Sequence, residues 1–268
     1  MPTRMTNADI DALRAAINLL EYPSLAARLA NLAGKPIELL GHALPAGATH
    51  AISLATTKAL ETALKVALLT TQKQADKRSI ALNRSLAVAS GAAGGAFGIA
   101  GISIELPIST VIMLRSIVDI ARNENEDLTD PESALSCIQV FALGGRTATD
   151  DAAESGYFAV RGLFAKSLTE AARFVAERGI VEEGAPVLVR LITQIASRFG
   201  VVVTQKVVAQ AIPVIGALGG GAVNYAFVCH FQDAARGHFA VRRLERLYGK
   251  DLVRQEYERL LNESRPPN

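Results

Sequence analysis

Residues 85–127 read SLAVASGAAGGAFGIAGISIELPISTVIMLRSIVDIARNENED. A Gly- and Ala-rich apolar run meets a Glu-Leu-Pro corner at Glu105, Leu106 and Pro107, and a strongly periodic segment follows. Its apolar positions Val111, Leu114, Ile117, Val118 and Ala121 recur at helical spacing, so the stretch predicts an amphipathic helix ending in the polar residues 123–127. A second stretch, residues 211–239, AIPVIGALGGGAVNYAFVCHFQDAARGHF, echoes the first. Both carry closely spaced glycines, both contain a proline, and both close on Asp-X-Ala-Arg, at 119–122 and 233–236.

The glycines suggest how the two stretches meet. Gly91 and Gly95, Gly94 and Gly98, and Gly216 and Gly220 each lie four residues apart, which on a helix leaves a flat groove for another backbone. Gly costs about 1 kcal/mol against Ala in a helix, so the repetition implies close packing or a break. Neither 85–104 nor 207–229 contains a charged residue. Each is long enough to span a bilayer as a helix, for which about 20 residues suffice. Gly and Ala supply little transfer free energy, however, and the second run holds Gln210, Pro213 and Asn224. Core helices of a soluble or membrane-docking bundle are the favoured expectation.

Outward from these runs the pattern stays helical. Thr6 and Asp9 make a capping-box-like start for Ile10, Leu13, Ile17 and Leu20. Pro23 opens a second helical pattern through Leu25, Leu29 and Leu32 to Gly34. A long helix is predicted over 48–70, and the polar, basic segment 72–78 reads as a loop. Asp130 with Pro131 caps a helix that ends at Gly144-Gly145. Further helices are expected over 147–178, with a weak point at Gly156, and from 185 onward. The charged C-terminal segment should break near Gly249, and Gly237 is a candidate helix end. No alternating strand pattern occurs. The expectation is an all-α bundle of roughly ten helices with two Gly-rich central segments. Its parts are N-terminal helices over 1–78, a core over 79–249 and a C-terminal helix with tail over 250–268.

Composition agrees with packed helices. Of 268 residues, 50% are hydrophobic but only 5% aromatic, so the apolar mass is aliphatic. Charged residues make up 20%, below the usual ~25%. A net charge of +2 argues against a nucleic-acid partner, which requires a concentrated basic face. Arg242, Arg243, Arg246 and Arg254 interleave with Glu245, Asp251 and Glu256, the pattern of a solvated helix face, or else of a patch for anionic lipid. Cys137 and Cys229 stand far apart in apolar contexts, as buried free thiols do. The N-terminal residues lack the apolar core of a signal peptide, so a cytoplasmic location is expected.

Candidate chemistry is sparse. His230 and Asp233 lie one turn apart, and His238 lies two turns beyond His230. With Glu105 and Asp119 they could form a carboxylate–histidine metal site of the kind helical bundles build. The alternative is a buried structural histidine. Arg115 and Asp119, four apart, are expected to be an ion pair, and Glu105 is suited to accepting hydrogen bonds at Pro107 or pairing with an arginine. No P-loop, dinucleotide fingerprint, GxSxG or HExxH motif is present.

The segments GGAFGIAGISIELPISTVIMLRSIVDIARNENEDL, CIQVFALGG and IPVIGALGGGAVNYAFVCHFQDAARGHFAVRRLERLYG closely resemble the EcsC protein family of bacteria. The resemblance runs from about residue 12 to 249. It implies proximity to a membrane transport complex, because founding members are encoded beside ABC-transporter subunits. It carries no catalytic role, and no cofactor, onto Glu105, Asp119, His230, Asp233 or His238. The expected function is therefore a membrane-associated accessory or interaction protein, at the inner face of the plasma membrane. Alternatives are a metal-dependent hydrolase using His230, Asp233 and His238, and a soluble carrier of lipid or another hydrophobic ligand.

Overall fold

A computed structural model describes residues 4–21, 25, 29, 47–70, 98–145, 156–178, 185–210 and 213–264. Among them the chain forms eight α-helices and no strand. These are α1 (Asn7–Glu21), α2 (Ala48–Thr70), α3 (Gly98–Asn123), α4 (Pro131–Leu143), α5 (Gly156–Arg178), α6 (Pro186–Gln210), α7 (Pro213–Tyr248) and α8 (Lys250–Ser264). The all-α class stands, and the described helices number eight rather than roughly ten. Gly91, Gly94 and Gly95, the loop at 72–78 and most of the pattern at 23–34 lie outside the described residues.

Two expected interruptions do not interrupt. Pro107 lies inside α3, which continues helically past it. Proline there removes one helical hydrogen bond, to the carbonyl of Ser103. Ser103 is exposed, so water can take the missing partner's place. Leu106, Met113, Leu114 and Ile117 meanwhile hold the helix in the core. Gly237 likewise does not end α7, which spans 36 residues. A Cβ at Gly237 would lie 2.6 Å from Leu20 Cγ and 3.1 Å from the Ala16 carbonyl oxygen. This glycine is a crossing point for α1, not a stop. The real break comes at Gly249, whose φ of +88° only glycine adopts readily.

Local signals account for the other boundaries. Thr6 and Asp9 close the reciprocal cap of α1: the Asp9 N–H donates to Thr6 Oγ1 at 3.2 Å and the Thr6 hydroxyl to Asp9 Oδ2 at 2.7 Å. Asp130 caps α4 by accepting from the Ser133 N–H at 3.0 Å, with Pro131 in the first turn. Asn125 ends α3 in the left-handed region, φ 58°. Glu126 N–H then reaches back to Ala121 O at 3.0 Å and Asn125 N–H to Arg122 O at 3.0 Å, a Schellman arrangement.

The short helix α4 lies at the centre. Every residue from Ser133 to Leu143 is buried, and α4 packs against α2, α3, α5, α6 and α7. Around it, α2 and α7 each contact both α3 and α6. The described parts of the two Gly-rich stretches therefore do meet, as α3 against α7. Gly98 begins α3, and Gly216 and Gly220 lie in the first turns of α7.

Candidate functional site

Charge is distributed very unevenly in this bundle. In 98–114 of α3 the only charged residue is Glu105, in 199–210 of α6 only Lys206, and 213–232 of α7 has none. The two lone charges find each other. Lys206 Nζ donates to Glu105 Oε1 at 2.8 Å and Oε2 at 2.9 Å, and the pair is buried, Lys206 being 1% exposed. The ammonium also stands 4.7 Å from the centre of the Phe227 ring, on α7. Burial lowers the Lys206 pKa and Glu105 opposes that shift. Three segments from three helices thus form one pole, and the only two charges those segments carry cancel inside it; α2, which packs on α3 and α6, carries exposed Lys58, Glu61 and Lys65.

The far end of α4 is sealed by side chains. The last carbonyls of a helix lack intrahelical donors. His230 Nε2 donates to the Gly144 carbonyl at 2.7 Å, so that ring nitrogen carries the proton. Arg198 donates from Nε to Ala142 O at 3.2 Å and from Nη2 to Gly145 O at 2.7 Å. Glycine is required for this closeness. A Cβ at Gly144 would stand 2.5 Å from the Phe231 ring, and one at Gly145 2.5 Å from the Arg198 carbonyl oxygen. Beneath, Phe141, Phe199, Phe227 and Phe231 pack with ring centres 5.0–6.0 Å apart. Cys137 on α4 is fully buried, and burial pushes its thiol up to about 12, leaving an inert side chain. Cys229 is partly exposed rather than buried.

The opposite pole is a network of carboxylates and arginines. The Schellman turn aims Glu126 inward, where it accepts from Arg242 Nε at 2.9 Å and Nη2 at 3.1 Å, from the Ser133 hydroxyl at 3.0 Å, and from Arg246. Arg243 bridges Glu124 and Asp9. The arginines of 242–246 therefore dock the α3–α4 turn and α1, correcting the expectation of a solvated face. Arg161 on α5 makes a two-toothed pair with Glu245, both bonds 2.7 Å.

His238 is wholly buried beside this network. Its Nδ1 lies 2.9 Å from the Tyr157 hydroxyl, which receives a long bond from Arg161 at 3.4 Å. Tyr157 and Nδ1 thus share a buried hydrogen bond. Burial, with the charges of Arg161 and Arg242, holds the His238 pKa well below its ordinary value. Burial raises the Glu126 carboxyl, but the bonds and charges of Arg242 and Arg246 outweigh it and leave it below the usual range. Both folded-state values are depressed, so both contributions are present at neutral pH and lost on acidification. Unfolding free energy should fall as pH drops below about 6.5, the unfolded histidine value, and fall further below about 4.5, the ordinary carboxylate value. Urea titrations from pH 8 to 4 check this. His238→Asn should flatten the first part alone, because an amide can accept from Tyr157 yet does not titrate.

The remaining candidates disperse. Asp119 pairs with Arg122 at 3.6 Å, three residues on, while Arg115 is exposed and outside that pair. Burial raises the Asp119 carboxyl, and Arg122 only partly offsets it. Asp233 pairs with Arg236 at 2.7 Å. Glu105 meets Lys206 rather than an arginine, and neither His230 nor Asp233. Among the described residues no group of three His, Cys, Asp or Glu side chains could hold a metal ion. His230, Asp233 and His238 are each engaged separately. Sequence reading passed over Lys206, although it is the only charged residue between Arg198 and Asp233. That isolation was the available signal.

These features define an all-α bundle protein wrapped around a buried helix, with several charge pairs buried inside it. The chain belongs to the EcsC protein family, whose model matches residues 19–244, most of its length. No curated protein and no solved structure matches it.

Proposed function

We propose that this EcsC-family protein docks on a membrane surface through its uncharged pole, as an accessory or interaction protein rather than by spanning the bilayer. The carrying observation is that α3 and α7 expose apolar side chains along segments whose only charge, Glu105, is buried and paired. Ile104 is 71% exposed and Ile108 48%, one turn apart on α3, while Tyr225 on α7 is 46% exposed. Tyrosine suits an interface, with an apolar ring and a polar tip. Burying the Glu105–Lys206 pair removes the two charges that would otherwise oppose contact with lipid. By length and composition α6 could cross a bilayer. Its inner face, however, is committed to the bundle at Phe199, Val202, Val203 and Lys206.

Sedimentation with vesicles of phosphatidylcholine and phosphatidylglycerol tests this. Binding should persist in about 0.5 M salt, because screening weakens charge attraction and not apolar burial. Ile104→Ser combined with Ile108→Ser should lower the partition coefficient about tenfold or more and leave the melting curve unchanged, since both side chains are exposed. Retention of all the protein in the supernatant sinks the reading.

A further inference from the structure

At the charged pole a cleft of about 310 Å³ opens between α4, α5, α7 and α8. That is the lower end of the size range for small-molecule sites. Its base holds polar groups that the protein leaves unspent. Gln139 on α4 is 2% exposed and lines the cleft, and no hydrogen bond joins its side-chain amide to another described residue. Arg242 uses Nε and Nη2 on Glu126 and Ser133, which leaves its Nη1 for the cleft.

The mouth carries both signs of charge. Lys250, Asp251 and Glu132 line it, and none of the three joins an ion pair among the described residues. The Arg161–Glu245 fork forms part of the wall, fixed by its own two bonds. Phe158 adds an aromatic face, and Gly162 leaves open space where a side chain would stand. A purely anionic ligand would leave Glu132 and Asp251 unanswered, and a purely cationic one would leave Arg242 Nη1 and Lys250 unanswered.

We infer that this cleft binds a small zwitterion, with its phosphate or carboxylate oxygens on Arg242 and Lys250, its ammonium at Glu132 and Asp251, and Gln139 hydrogen-bonding between. The site lies among the charged residues of α4, α7 and α8 and apart from the uncharged pole, so the ligand is a free, water-soluble molecule. The inference is independent of membrane docking.

Calorimetric titration of the full chain with O-phosphoethanolamine and with γ-aminobutyrate tests it, alongside inorganic phosphate and ethanolamine as single-charge controls. At least one zwitterion should bind about tenfold or more tighter than either control, since each charge-assisted contact contributes separately. Lys250→Met, an exposed substitution that should not disturb folding, should weaken that binding about tenfold. Gln139→Leu, close in volume, should weaken it too while preserving the melting temperature, because no hydrogen bond within the described residues depends on that amide. Heat from neither zwitterion, equal binding of inorganic phosphate, or unchanged affinity in Lys250→Met overturns the inference. Displacement by vesicles of phosphatidylethanolamine, stronger than by the free compound, overturns the assignment to a soluble ligand.

Discussion

Glu105→Ala should be the most damaging single substitution in the uncharged pole, lowering unfolding free energy by about 3–5 kcal/mol. The reason is what remains. Lys206 would either be left with an unpaired ammonium or be forced to give up its proton, in a site where it is 1% exposed with only the face of Phe227 opposite. Desolvation of an unpaired charge is not recovered by a single ring. Ordinary domains have only about 5–15 kcal/mol in total, so the variant should melt far below the native protein or fail to accumulate. Replacing both partners is a different experiment. Glu105→Leu with Lys206→Met fills similar volume without charge, and such exchanges are often neutral or stabilising. The double variant should recover most of the loss in urea unfolding. It should also still sediment with vesicles, because the pole remains uncharged. A single variant within about 1 kcal/mol of the native protein would contradict the buried-pair account.

Gly145→Ala should be the second large effect. The added Cβ would lie 2.5 Å from the Arg198 carbonyl oxygen and 3.0 Å from its carbonyl carbon. Those are backbone atoms of α6, and they cannot swing aside as a side-chain tip can. Either α4 or α6 must shift, straining the Arg198 bonds to Ala142 O and Gly145 O that close the helix end. Overpacking of this kind costs about 1–3 kcal/mol, and loss of the capping bonds adds to it. Gly162→Ala is the matched control. That glycine is exposed in α5 and a Cβ there meets nothing within 4 Å, so helix propensity alone should raise stability by up to about 1 kcal/mol. Chemical denaturation of both variants under one set of conditions gives the comparison. Equal effects would mean that the α4–α6 approach is looser than the geometry shows.

Much of the fold was legible because its signals are local. Thr6 with Asp9, Asp130 with Pro131, and Gly249 each act within one turn of chain, and each boundary forms where those residues place it. Pro107 and Gly237 are local signals too, yet they misled. Their outcome depends on partners distant in sequence: the core packing of α3, and Leu20 and Ala16 of α1 against Gly237. The same contrast applies to the candidate residues. Glu105 stood out as an isolated acid, but its partner lies 101 residues away. His230 and Asp233 looked like co-ligands from their spacing. One seals the end of α4 and the other pairs along its own helix. Spacing says that two side chains share a face, and it does not say what that face meets.

Sequence alone determined that this protein is helical, that two long runs carry no charge, and that it resembles the family to which it belongs. Those properties follow from periodicity, composition and motif, which are written along the chain. Only the tertiary structure decided which helix is central, that Glu105 and Lys206 cancel one another, and that the arginines of 242–246 turn inward onto Glu126 and Glu124. Such pairings join residues about a hundred positions apart, and the free energy of burying a charge depends on what stands opposite it in space.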